Sequence, residues 1–227
     1  MRNIKIAPNE YYHILNRGSN KQIIFFDNND RIRFLFLILY FQSAITFENI
    51  SRIVKEFANS PTFIQHSVLN KGNDGVGIVK DVVKSRTVEL VAFCIMPNHF
   101  HLILKEVKEG GIANYMQRVL NSYTKYFNTK YQRSGHLFQG PYKAVHIQSD
   151  KQLLYLSAYI HHNPRELKEW VGKEKQYTWS SYQDFIFKNR FNNLLLPDII
   201  TSQFKNKGEY QEFLKTSTAK TIQDELE

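Results

Sequence analysis

Cysteine is nearly missing from this chain. Cys94 is the only one in 227 residues, which excludes an internal disulfide and any cysteine-built zinc cluster, and agrees with a reducing compartment. Long apolar runs are also lacking. The longest, Phe34 to Phe41, falls far short of the roughly 20 residues that span a bilayer, and no signal-peptide pattern precedes the polar Arg2-Asn3 start. The expectation is a cytoplasmic, nucleoid-associated protein with no membrane partner. No internal repeat or low-complexity tract interrupts the chain. Hydrophobic residues make up 42% of it, enough for a buried core.

Acidic residues are scarce beside basic ones. Lys and Arg total 30 against 21 Asp and Glu, and a net charge of +9 favours polyanionic partners, nucleic acid among them. In "NSYTKYFNTKYQRSG" aromatic residues interleave with Lys125, Lys130 and Arg133, as a stacking and phosphate-binding surface for single strands requires. Taken alone, that segment reads more simply as an amphipathic helix with buried rings and solvated bases.

"YYHILNRG", Tyr11 to Gly18, reads as a strand ended by a glycine turn, and "DNNDRIRFLFLILYFQ" as a helix capped within Asp27 to Asp30. Residues 46–86 read as an insertion, with turns at Asn59–Pro61 and Asn70–Gly75 between two short segments of undecided type. "TVELVAFCIM" and "HFHLILKEV" read as strands joined at Pro97-Asn98, and Ile112, Met116, Val119, Leu120 and Tyr123 fall at helical spacing. "YKAVHIQ" supplies another strand. Ser149 or Asp150 caps "KQLLYLSAYIHHN", which Pro164 stops at Asn163. Without the insertion the order is β-α-β-β-α-β and a further helix. That is the α+β, ferredoxin-like (RRM-like) order, an antiparallel sheet with two helices on one face and the other face left for the last helix.

"CIMPNHFHLILK" then raises a chemical question. On a strand, His99 and His101 share a face while Phe100, Leu102 and Leu104 take the other. Tyr155, Tyr159 and Asn163 follow one another four residues apart along one helical face. If that helix crosses the free face of the sheet, two imidazoles, an amide and a phenol converge. Mg²⁺ or Mn²⁺ suits such neutral N and O ligands, with water and substrate oxygens completing its shell. A phenol is a poor nucleophile at neutral pH, but a metal that polarises phosphate lets it attack a phosphodiester. His161 and His162 point off this line by about 100° per residue, and His136 and His146 lack a spacing partner. "WSSY" reads as a packing element with a cap from Ser180 or Ser181, and "EYQEFLK" as a covering helix.

"MPNHFHLIL", "GHLFQGPYKAV", "YIHHNP" and "WSSY" resemble, in order, the motifs of the single-tyrosine HUH transposases, especially the REP-associated tyrosine transposase branch. The resemblance runs from about Tyr11 to Tyr182. It implies a catalytic domain over 1–185 and an extension over 186–227. It implies Tyr159 as nucleophile and His99, His101 and Asn163 as ligands of Mg²⁺ or Mn²⁺; Tyr155, one turn earlier on the same helical face, is the next candidate. The implied activity is cleavage and rejoining of single-stranded, hairpin-bearing DNA through a 5′-phosphotyrosine, by a monomer or a homodimer. Arg17, Lys125, Lys130, Arg133 and Lys143 are the candidate DNA contacts. Two features depart from the family pattern: the long insertion, and Pro141 where many relatives have arginine, with Lys143 as the nearby substitute. The alternatives are a non-catalytic RRM-like nucleic-acid-binding protein derived from a transposase, a relaxase-type nickase, and a metal-dependent hydrolase in which water attacks.

Overall fold

Four segments alternate or run apolar over strand length and pair into one antiparallel sheet: β1 (Tyr11–Arg17), β2 (Val88–Ile95), β3 (His99–Glu106) and β4 (Lys143–Ile147). Their order across the sheet is β2-β3-β1-β4. The computed structural model describes residues 5–58 and 75–217. Helix α1 (Asn28–Tyr40) lies between β1 and β2, and α4 (Gly111–Lys130) between β3 and β4. The two pack on each other and on the same side of the sheet, which is the ferredoxin-like arrangement the sequence predicts. α1 starts as its sequence requires. Asp27 accepts from the Asp30 amide and Asp30 accepts from the Asp27 amide, a reciprocal capping box.

Phe34, Phe100, Tyr123 and Phe127 interlock in the core between these helices and the sheet. Each such ring contributes about 1.5–3 kcal/mol by leaving water. The inserted segment joins this core. Its described residues contain two helices, α2 (Ile50–Ala58) and α3 (Gly75–Ser85), and Val54, Phe57 and Val82 are buried against the α1 side. Phe57 meets Phe36 and Tyr40 with ring centroids 5.8 and 6.2 Å apart. The expected turn at Asn59–Pro61 lies outside the described residues, as does that at Asn70–Gly75 but for Gly75, which opens α3. Gln42 ties the ends of the insertion. Its side-chain amide donates to Leu39 O and Leu194 O, and its carbonyl accepts from the Thr87 amide at 2.7 Å. Ser43 bridges directly to Arg86.

The opposite face of the sheet carries α5 (Asp150–His162) across β2, β3 and β4. Leu153, Leu156 and Ile160 turn into this second core, as their spacing predicts. Three short helices follow: α6 (Tyr182–Ile186), α7 (Asp198–Thr201) and α8 (Lys207–Thr216). Tyr210 and Leu214 of α8 are buried, so this helix covers the core as expected. Trp179 to Ser181 run along the outer edge of β2, with the Ile95 amide donating to Trp179 O and the Ser181 amide to Phe93 O, both at 2.9 Å. Of the two serines expected to cap α6, Ser180 accepts from the Tyr182 amide at its start, at 3.2 Å, and Ser181 makes no cap bond. Its hydroxyl accepts from the Phe93 amide at 2.9 Å and meets His161, so it braces the sheet edge rather than a helix end.

Candidate active site

The period-2 geometry of β3 does what the sequence requires. Phe100, Leu102 and Leu104 enter the α1–α4 core, and His99 and His101 take the α5 side, their rings 5.1 Å apart and perpendicular. The turn before them is held from outside. Gly18 donates its amide to Asn98 O, and the Ile24 and Phe25 amides both donate to Pro97 O. A side chain on Gly18 would lie 2.3 Å from Gln22 O, so this close crossing needs glycine.

α5 is capped by Ser149, which accepts from the Gln152 amide, and delivers Tyr159 and then Asn163 one turn later. Tyr159 stands edge-on to His101 at 5.4 Å and to His13 at 6.2 Å, and is 3% exposed. Asn163 donates its amide to Tyr159 O at 3.0 Å, which turns its Oδ1 toward His99 Nε2, 3.2 Å away. Tyr155 faces elsewhere, its ring 5.5 Å from that of Phe213 on α8.

Both amides around His99 are oriented by other bonds, and the result has a chemical meaning. Asn98 donates its amide to Lys21 O, so its Oδ1 is the atom 2.7 Å from His99 Nδ1. A neutral imidazole carries one N–H. Both nitrogens of His99 face amide oxygens, so the ring can donate to one of them, and in the tautomer that donates to Asn98 its Nε2 is available to a metal beside Asn163 Oδ1. Two donor atoms bound to one octahedral ion at about 2.1 Å lie about 3 Å apart when adjacent, which the 3.2 Å spacing fits. Glu166 Oε2 is 4.0 Å from the same nitrogen, a hard anionic oxygen at the rim. Among the described residues no three His, Cys, Asp or Glu side chains group to hold a metal. The donor set present is two imidazoles and an amide oxygen.

A cleft of about 460 Å³ opens beside the histidines, lined also by Asn16, Arg17, Gln139 and Lys143. Arg17 and Lys143, on adjacent strands, thus share a cleft with His99 and His101. Pro141 lines its wall. Lys125 lies on the other side of the molecule, between two grooves flanking α4. Arg133 stacks over Phe127 at 5.4 Å. Lys130 is exposed yet tied to the protein's own acids: its ammonium binds Asp27 at 2.8 Å and Asp30 at 2.7 Å, and although partial burial opposes them these hydrogen bonds push it above the usual lysine range. Tyr123 and Phe127 are buried, so this segment is the amphipathic helix of the simpler reading.

His13 has no motif to mark it in the sequence, yet it joins the cluster. Its Nε2 lies 2.9 Å from His101 Nδ1, and the two rings stack at 5.1 Å. His161 is turned away, bonded to Tyr210 OH at 2.7 Å and to Ser181 Oγ at 2.9 Å. Burial pushes His13 down to about 3, and holds His161 well below the ordinary imidazole value with help from the charge of His162. Both therefore stay neutral in the fold while the unfolded chain takes up protons below about pH 6.5. The unfolded state then binds more protons, so the contribution is complete above pH 6.5 and is lost as pH falls toward 3. Between pH 7.5 and 5 His13 should withdraw about 2 kcal/mol, and His161 should act in the same direction. Urea unfolding at the two pH values reads this directly, and equal midpoints would contradict it.

Residues 65–163 match the family described as "Transposase IS200 like". That segment belongs to the IS200-like transposase family. It contains β2, β3, α4, β4 and α5, and so His99, His101, Tyr159 and Asn163; β1 with His13 lies before it. The chain is also similar to a solved structure described as a REP-associated tyrosine transposase bound to a REP hairpin. The identity is 13%, the TM-score 0.49, and the likeness covers 88% of this chain and 92% of that one. No curated protein matches the chain. Around the IS200-like segment, no helix of the described residues is long and apolar enough to cross a membrane.

Proposed function

We propose that this chain is a metal-dependent single-strand DNA transposase in which Tyr159 attacks a phosphodiester and His99, His101 and Asn163 hold Mg²⁺ or Mn²⁺. The observation that supports it most is the approach of His99 Nε2 and Asn163 Oδ1 to 3.2 Å beside the Tyr159–His101 ring contact. When bound, the ion neutralises charge developing on the phosphoryl oxygens. Tyr159 Oη forms a bond to phosphorus, the P–O3′ bond breaks, the phenol proton leaves to solvent and the departing O3′ gains one. The product is a 5′-phosphotyrosine and a free 3′-OH. Because a phosphodiester is exchanged for a phosphodiester, a later 3′-OH reverses the step and joins strands without ATP. Arg17 and Lys143 bind the strand's phosphates along the adjacent cleft, and the recognised DNA is single-stranded or hairpin-forming. Residues 1–185 act as the catalytic domain, with 186–227 as its extension.

The test is incubation with Mn²⁺ or Mg²⁺ and a labelled pool of single-stranded oligonucleotides from the DNA flanking the protein's own gene. A metal-dependent label on the protein in a denaturing gel is the expected result. Cleaved DNA with no adduct would replace this reading by the hydrolase, and tight binding without cleavage by the non-catalytic nucleic-acid-binding protein.

A further inference from the structure

We infer that His13 is a positioning residue that sets which nitrogen of His101 is open to the metal, an inference that rests on the metal reading above. The two candidate ligands have matching surroundings. His99 Nδ1 is 2.7 Å from Asn98 Oδ1, and His101 Nδ1 is 2.9 Å from His13 Nε2. In each case a fixed neighbour occupies Nδ1, so Nε2 is the nitrogen that can coordinate once the ring's proton sits on Nδ1. A ligating imidazole is held this way because an acceptor at the far nitrogen keeps the proton there and raises the basicity of the near one.

For Asn98 the direction is unambiguous, since an amide oxygen only accepts. For His13 it is not, and that makes the pair a two-state element. With the proton on His101 Nδ1, His13 accepts at Nε2 and carries its own proton on Nδ1. With the proton on His13 Nε2, His101 must carry one on Nε2 and is closed to metal. His13 Nδ1 is buried without a hydrogen-bond partner. A buried donor without a partner is costlier than a buried acceptor in the same position. The metal-free protein should therefore rest in the closed tautomer, and metal should draw the pair into the open one. The antiparallel register that pairs Leu15 with His101 and His13 with Ile103 brings the two rings onto one face, so the contact is built into the sheet.

The measurement is imidazole ¹⁵N NMR of the full chain with and without Mg²⁺, beside Mn²⁺ affinity from the EPR signal of the free ion. Expected is a proton on His101 Nε2 without metal and on Nδ1 with Mg²⁺. His13→Leu, which cannot accept, should weaken Mn²⁺ binding about 10–100-fold, and His13→Gln, which can accept through Oε1, should restore most of it. Wild-type protein that binds Mn²⁺ but keeps the His101 proton on Nε2 would overturn the inference even if His13→Leu fails to fold. Unchanged affinity in a folded His13→Leu would do the same, as would a metal-induced shift showing His13 itself coordinated. A wild-type protein that binds no Mn²⁺ at all would instead overturn the metal reading.

Discussion

Tyr159→Phe should give a protein that folds, binds Mn²⁺ and binds single-stranded DNA as the wild type does, yet forms no covalent adduct. Phenylalanine keeps the ring that stands against His101 and loses only the attacking oxygen. Deleting a nucleophile costs on the order of 10⁶ in rate in other systems, so label transfer should fall below detection. Tyr155→Phe is the matched control. Tyr155 lies on the same helix one turn earlier, but its ring is against Phe213 rather than the histidines, and its variant should label normally. A labelled Tyr159→Phe protein, or an unlabelled Tyr155→Phe protein, would exchange the roles of the two.

Asp184→Ala should lower stability by about 3–5 kcal/mol, the range for breaking one half of a buried ion pair. Arg190 is almost wholly buried. It gives Nε and Nη2 to the two carboxylate oxygens of Asp184 at 3.0 and 2.7 Å, and Nη1 and Nη2 also donate to Thr178 O and Ser180 O, respectively. Removing the carboxylate strands the guanidinium. Because Ser180 and Ser181 lie along β2, and Ser181 also touches His161 of α5, the loss should spread to the helix that carries Tyr159. Urea unfolding measures the first effect and adduct yield at low temperature the second. A fall below about 1 kcal/mol would mean that Arg190 finds solvent or another partner.

The sheet and its two principal helices were legible because each face of each element is chemically one-sided: HxH against FxLxL on β3 is the plainest case. The line from Tyr159 to Asn163 was legible as helical spacing. What sequence could not supply is the meeting of elements. His13 sits on β1 among apolar neighbours, and only the β1–β3 register shows that it faces His101. Glu166 follows Pro164 in a 3-10 turn, whose direction no periodicity predicts. In the insertion Ile50, Ile53, Val54 and Phe57 do repeat at helical spacing, as Ile78, Val79, Val82 and Val83 do, but each run is only two to three turns long, too short for periodicity alone to separate a helix from a strand. Lys130 looked like a free cation because its acidic partners belong to the cap of another helix, about 100 residues earlier.

Gln42 has a consequence for how such a chain can change over time. By fastening residues 42 and 87 together, it lets the polypeptide leave the core and return at nearly one point. The entropy of closing such an excursion grows only logarithmically with its length. Lengthening or shortening the excursion therefore leaves β1 and β3 in register, and with them the histidines. The constraint that descendants must honour is narrower than the length: something apolar still has to shelter Phe36 and Tyr40.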